Sequence, residues 1–290
     1  MLMGLKRFLK TCTRILPDSI YVRLDFIRNL HRIPNLRTPV TFNEKLQWLK
    51  LYNHDPAYTG MADKLLMREY VRRHAEEAGT VPVLGVWDRF DDIDFNSLPD
   101  RFVLKCNHDS GCYVICRDKK SLDLEEARRT IEESLGMNYY YCYREWVYKG
   151  IVPRVFAEEY LEPNEGQFLW DYKFFCFNGE PRIMYMEKEA SEQKTEAFFD
   201  MEGRFLDLEM DDPRPDTPPE LPDCFDKMKN IAKKLSKGIP FLRVDLFFAG
   251  GKIYVGELTF FHCSGLGPVR PEKWNRILGS WIVLPEKKKI

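Results

Sequence analysis

The chain has 290 residues, 44% of them apolar and 14% aromatic, and a formal net charge of −1. That length and apolar content suit one large domain or two lobes around a sizeable core. A charge so near zero excludes a global field that would draw in nucleic acid, and no apolar run approaches the roughly 18 residues of a membrane span.

Residues 1–40 depart from the average, with eight basic side chains against Asp18 and Asp25. Leu2, Leu5, Phe8 and Leu9 recur at helical spacing beside Lys6, Arg7 and Lys10. Two readings stand for residues 1–14: a peripheral contact with an anionic membrane surface, or an amphipathic helix packed on the domain, which is the favoured one. Without a signal-type apolar run, the expected location is cytoplasmic, with the inner membrane face as the alternative. The eight cysteines agree with a reducing compartment. Cys106, Cys116 and Cys176 lie in apolar strand patterns, as small buried hydrophobes do. Cys106, Cys112 and Cys116 lie close in sequence, yet no second Cys/His pair follows at zinc spacing.

In chain order, residues 1–60 read as helices broken at Pro17, Pro34 and Pro39. Thr41 or Asn43 caps a helix over 44–52. A second helix, 64–78, starts after Asp63 and ends at Gly79. Strands follow near 81–87, 102–106 and 112–116, then a helix from Asp123 to Leu135. The aromatic stretch 138–147 is ambiguous. Strands recur at 154–160, 171–177, 181–187 and 196–200. The acidic, proline-rich 209–223 segment is a loop, and 222–237 a charged surface helix. A hairpin spans 241–259 about Gly250-Gly251, and a short helix lies near 274–278. Strands interrupted by helices without a βαβ rhythm indicate an α+β fold.

Chemistry-bearing residues concentrate at three places. In the hairpin, alternation puts Arg243 and Asp245 on one face of the first strand, and Glu257 and Thr259 on one face of the second. If the register joins those faces, two carboxylates and a hydroxyl suit Mg²⁺; the plainer reading is a solvated hairpin face. Lys105 sits in an apolar strand, where an ammonium needs an anion. It leads into Asn107-His108-Asp109-Ser110-Gly111, whose N–H groups can form an anion nest. The plainer reading is a hairpin turn with a snorkelling lysine. Glu158-Glu159-Tyr160-Leu161 ends another strand. Asp171 and Lys173 share a strand face, either for ribose and phosphate or as an ion pair of little weight. Lys64 and Arg68 lie one helical turn apart. Cys263 has no visible base to make it a nucleophile.

The order Asp63-Lys64, Lys105 with its loop, the Glu-containing strand end and the acidic hairpin resembles the ATP-grasp fold. Arg243-Val244-Asp245 is similar to the Arg-x-Asp of D-alanine–D-alanine ligases. A closer resemblance covers residues 38–285: Thr41-Phe-Asn-Glu-Lys-Leu-Gln-Trp-Leu-Lys50, Asp171-Tyr-Lys-Phe-Phe-Cys-Phe-Asn-Gly179 and Gly256-Glu-Leu-Thr-Phe-Phe261 look like the TupA-like ATP-grasp family, associated with bacterial surface polysaccharides. The resemblance implies a helical segment, 1–60, before an ATP-grasp domain, 61–290, with lobes of about 61–155 and 156–285 holding ATP between them. It implies that Lys64, Lys105, Asn107, His108, Ser110, Gly111, Glu158, Glu159, Tyr160, Leu161, Asp171 and Lys173 contact ATP. Asp245, Glu257 and Thr259 would hold Mg²⁺, with Arg243 and Lys105 catalytic. Thr259 stands where the superfamily has Asn. The implied activity is an ATP- and Mg²⁺-dependent carboxylate–amine ligase, with a carbohydrate or glycan-precursor acceptor and a small amine, and no nucleic acid. A phosphotransferase, a sugar-nucleotide glycosyltransferase and a nucleotide-binding regulator are the alternatives.

Overall fold

Residues 12–162, 169–188 and 194–287 are described by the computed structural model; the expected contact through 1–14 falls almost wholly outside them. Helix α1 (Asp18–Leu30) ends at His31 in the left-handed region. Helix α2 (Phe42–Tyr52) begins with a capping box: Thr41 accepts from the Glu44 backbone while the Glu44 carboxylate reaches back. After α3 (Ala57–Ala62), the helix expected over 64–78 is shorter, α4 being Met67–His74. The Asp63 carboxylate accepts the N–H groups of Leu65 and Leu66 at 2.8 and 3.3 Å, and holds that stretch as a turn instead.

Then come β1 (Gly79–Thr80), β2 (Val83–Trp87), β3 (Phe102–Cys106) and β4 (Tyr113–Cys116). Helix α5 (Leu124–Leu135) is capped by Asp123. The aromatic stretch resolves into a short helix, α6 (Tyr140–Tyr143), and a single turn at Trp146–Tyr148. The rest is β5 (Val155–Glu159), β6 (Trp170–Phe177), β7 (Glu180–Lys188), β8 (Ala197–Asp200), α7 (Phe225–Ser236), β9 (Phe241–Ala249), β10 (Lys252–Thr259) and α8 (Glu272–Trp281).

The strands form two sheets, ordered β2-β5-β3-β4 and β1-β10-β9-β6-β7-β8. In the small sheet Phe102, Leu104 and Cys106 alternate inward and join Val155, Ala157 and, from α5, Ala127 and Ile131 in one core. Val103 and Lys105 therefore point the other way. The two-residue strand β1 pairs parallel to β10 in the large sheet, though it precedes the whole small sheet in sequence. Helix α7 contacts β6, β7 and β9. Met228, Ile231, Ala232 and Leu235 are fully buried there, so only its other face is the charged surface expected. The opposite face of the large sheet is divided. At one end Phe175, Phe177 and Phe241 lie under Phe42 of α2, whose ring meets Phe241 edge-on at 5.1 Å. At the other end the same face carries charge.

Candidate functional site

Strand register sets that charged face. Tyr185, Lys173, Asp245 and Glu257 lie directly across from one another on β7, β6, β9 and β10. Beside that row run Glu187 with Asp171, and Phe175 with Arg243 and Thr259. The turn at Gly250-Gly251 alone would not produce this arrangement. Counted from the turn, the ladder pairs Val255 with Leu246, on the buried face. A bulge between Val255 and Glu257 then shifts the register by one, so that Glu257 opposes Asp245 and Thr259 opposes Arg243. Gly256 is the residue absorbed there. A Cβ at that position would meet the Phe247 ring at 2.6 Å.

Arg243 organises the row. Nε donates to Asp245 Oδ1 at 2.7 Å and Nη2 to Oδ2 at 2.6 Å, a bidentate pair. Nη2 also reaches Glu257 Oε1 at 2.9 Å, and Thr259 donates to the same oxygen at 3.0 Å. Burial, with Glu257 and Asp171 nearby, pushes Asp245 up to about 8 despite Arg243. Burial opposes ionisation of Glu257 too, but Lys64 and Arg243 bring it down to about 2. Two carboxylates so close favour one retained proton between them. Lys173 lies between Asp171 at 3.0 Å and Glu187 at 2.6 Å. Burial works against its charge, and the surrounding acids, Asp171 first, more than compensate.

The small sheet supplies the other wall. Lys105 Nζ lies 2.7 Å from Glu158 Oε2, and Arg68 binds the other oxygen of the same carboxylate. Lys64 donates to the Asp109 carbonyl. Ser110 and Gly111, the latter at φ 81°, face the space between the sheets, as do Glu159, Tyr160 and Leu161. The cleft holds about 540 Å³, bounded by Lys64, Lys105 and Glu158 above and by Asp171, Lys173, Arg243, Asp245 and Glu257 below.

Two expected phosphate-loop residues turn elsewhere. The Asn107 amide donates to Asp63 and to the Val152 carbonyl at 3.0 and 3.2 Å, and accepts the Arg154 N–H at 2.8 Å. His108, expected in the anion nest, is 2% exposed. Its Nε2 faces the carbonyls of Ser134 and Met137 at 3.1 and 3.0 Å, so Nε2 carries the proton. Both side chains fasten the loop to its own lobe. The sequence could not reveal this, because the partners lie 25 residues or more away in the chain.

Sequence reasoning missed Glu187, which a second bulge at Phe175/Cys176 aligns with Asp171. It also missed what the 41–50 motif does. Asn43, Gln47 and Lys50 share one face of α2. Asn43 donates to the carbonyls of Gly265 and Gly267 at 3.1 and 3.0 Å, Gln47 to those of Ser264 and Gly265 at 2.8 and 2.9 Å, and Lys50 to that of Ser264 at 2.6 Å. Ser264 Oγ accepts from Lys50 and donates to buried Glu145 at 2.6 Å. The clamped turn holds Cys263, Ser264 and Gly265 at φ 44°, 58° and 63°, a left-handed run that needs outside support. At Gly265 a Cβ would meet Gln47 at 2.6 Å.

This turn seats His262 against the site. Arg243 donates to His262 Nδ1 at 2.8 Å, which leaves the proton on Nε2. Burial and the Arg243 charge hold the ring well below its usual range, hence neutral. The neighbouring Cys263 thiol donates to Asp211; burial and that carboxylate push its pKa well up, away from nucleophile chemistry.

Residues 44–283 match the family described as TupA-like ATP-grasp. No curated protein matches the chain. Among solved structures, it is similar to D-alanine–D-alanine ligase from Bacillus anthracis complexed with ATP, at 19% identity over 69% of this chain and 55% of that one, TM-score 0.42. It is also similar to D-alanine–D-alanine ligase from Helicobacter pylori (12% identity, 86% and 68% covered, TM-score 0.47). A third is N5-carboxyaminoimidazole synthase from Aspergillus clavatus in complex with ADP and 5-aminoimidazole ribonucleotide (13% identity, 71% and 46% covered, TM-score 0.40). The chain thus spans 55% of the length of the first of these.

Proposed function

The chain belongs to the TupA-like ATP-grasp family, and from that premise we propose that it is an ATP- and Mg²⁺-dependent carboxylate–amine ligase acting on a bacterial surface polysaccharide or its precursor. The observation that carries the reading is the pairing of walls across one cleft: Lys64, Lys105 and the Ser110-Gly111 turn face Asp245, Glu257, Lys173 and Arg243. Lysines and backbone N–H groups suit a triphosphate, and Glu159-Tyr160-Leu161, which line the same cleft, would hold the base.

The metal reading rests on the donor set. Asp245, Glu257 and Thr259 offer oxygen alone, which suits Mg²⁺. Asp245, pushed up to about 8 by burial and its acidic neighbours, marks a place short of positive charge even with Arg243 beside it. Mg²⁺ there would neutralise phosphate charge.

In this reading a carboxylate on the acceptor attacks the γ-phosphorus and ADP leaves. An amine then displaces phosphate from the acyl phosphate to give the amide. Arg243 meets the charge that develops on the transferred group, because its fork of donors matches phosphate. Lys105 and Lys64 hold the phosphates in line. His262 keeps the Arg243 guanidinium in plane by accepting from Nη1. The association with surface polysaccharide, and with it a uronic acid as acceptor, is supported by the family resemblance.

The test is product analysis with Mg-ATP, an oligosaccharide bearing uronic acid and a panel of amino acids. ADP release that needs both partners, with an amide product lighter by one water than their sum, is the expected result. ADP with a phosphoester would make the protein a phosphotransferase. Turnover of a UDP- or GDP-sugar without ATP would overturn the reading.

A further inference from the structure

Helix α1 is apolar on two faces. Inward, Tyr21, Val22 and Phe26 are 5%, 2% and 0% exposed. Outward, Ile20, Leu24 and Ile27 are 47%, 54% and 39% exposed. These three stand at i, i+4 and i+7, a single stripe. At about 100° per residue, Arg23 falls roughly 60° to one side of Ile20 and Arg28 roughly 80° to the other. The outward face is therefore aliphatic along its centre and cationic along both margins. A solvated helix carries its charges where this one carries isoleucine and leucine.

No carboxylate shares that face. Asp25 is buried. Asp18 is taken up by Arg144 at 3.0 Å and by the Tyr140 hydroxyl. Among the described residues, Arg23 and Arg28 have no acidic partner; Arg23 donates to the Ser19 carbonyl at 2.6 Å. The imbalance is local: residues 1–40 hold eight basic side chains against two acidic, whereas residues 41–290 hold 36 against 43. The helix is also fastened to the body, since Tyr21 donates to the Cys142 carbonyl at 2.8 Å, so whatever holds α1 holds the enzyme.

We propose that the outward face of α1 seats the protein on an anionic lipid surface. Ile20, Leu24 and Ile27 enter the boundary between headgroups and acyl chains, and Arg23 and Arg28 meet lipid phosphates. An aliphatic stripe with arginine on both margins is the pattern of a helix lying in the interface plane. Charge decides between lipid and a second copy of this chain: two such faces brought together would oppose arginine to arginine. The proposal stands apart from the ligase reading.

The test is co-sedimentation of the full chain with vesicles of equal phosphatidylglycerol and phosphatidylcholine, and with vesicles of phosphatidylcholine alone. Binding to the mixed vesicles, at least about tenfold weaker to the neutral ones, is expected. Arg23→Gln with Arg28→Gln should weaken it about thirtyfold, because each cation near the surface contributes about fivefold. The triple variant Ile20→Gln, Leu24→Gln, Ile27→Gln should weaken it at least as much, with circular dichroism and cooperative unfolding kept because roughly half of each side chain is already in water. Wild-type protein that ignores both vesicles, or binds both equally, overturns the proposal, as do variants that bind like wild type. A self-associated species in sedimentation velocity, dispersed by the triple variant without any vesicle binding, would assign the face to a second copy.

Discussion

The two walls of the cleft are built differently. The floor is made of side chains on four central strands, each locked by ladders on both sides, and its charges lie in rows that the register dictates. The roof is a turn between two short strands, and its polar residues divide: Asn107, His108 and Asp109 face their own lobe, while Ser110 and Gly111 face the cleft. A strand fixes which side every residue takes once one is known. A turn has no such rule. Substitutions in the floor should therefore strike turnover and leave the fold, whereas substitutions at the start of the roof turn should strike the fold and leave turnover.

The sharpest way to break that contrast is at Asp245 and Glu257. Asp245→Asn and Glu257→Gln keep shape and remove charge, so kcat for ATP-dependent turnover should fall by about a thousandfold or more, with circular dichroism unchanged. Near-wild-type turnover in both would reduce the floor to an ion-pair network. Arg243→Lys comes next. Lysine cannot reproduce the fork that holds Asp245 and reaches Glu257. We expect kcat to drop about a hundredfold, with Mg-ATP affinity kept within a few-fold; equal losses in both would show a ground-state role.

The roof supplies the converse. Asn107→Ala leaves the Arg154 N–H and an Asp63 oxygen without their partner. It should cost about 1–3 kcal/mol in denaturant unfolding, with kcat within a few-fold of wild type. A large kcat loss at unchanged stability would put Asn107 in contact with nucleotide after all.

The smallest effect sits at the margin of the floor, where burial and the Asp211 charge push Glu196 up to about 8. The folded protein therefore holds this proton where the unfolded chain has released it, and stability falls as pH rises from about 4.5 to 8. Glu196→Gln should remove that slope, with no gain at pH 5 and about 1–3 kcal/mol at pH 8.5. Melting curves at both pH values decide it, and an equal gain at each would mean that the carboxylate does not titrate there.

The same contrast explains what could be read from residues alone. Alternation on 241–247 and 171–173 was enough to pair Arg243 with Asp245 and Asp171 with Lys173 on a face. Placing Glu257 and Glu187 beside those faces was not, because the bulge at Gly256 and the one opposite Phe175/Cys176 each shift the count by one along β10 and β7. Lys105 announced itself as a charge in an apolar strand. The outcome for Asn107 and His108 depended on α5 and on the 152–154 segment, far away in the chain. The helix beyond Asp63 was overextended because 64–66 look helical, yet the Asp63 carboxylate turns them. The 41–50 motif was visible as a motif and silent as to role, since its partners are backbone carbonyls, which leave no mark in a sequence.

The bulge at Gly256 also bears on how such a chain can change over time. Because side chains alternate strictly, pairing Gly256 itself with Asp245 would bury Glu257 and lift Leu258 into the cleft, whereas a chain without Gly256 would join Val255 to Glu257 in regular alternation and keep Glu257 opposite Asp245. Among hairpin lineages, loss of Gly256 therefore straightens the strand and keeps the carboxylate pair, whereas one residue gained between Gly256 and Glu257 inverts the strand beyond it in one step. Gains of length at this point should thus be held off more tightly than the loss of Gly256, and a relative that has added a residue between Gly256 and Glu257 should have lost its carboxylate pair with it.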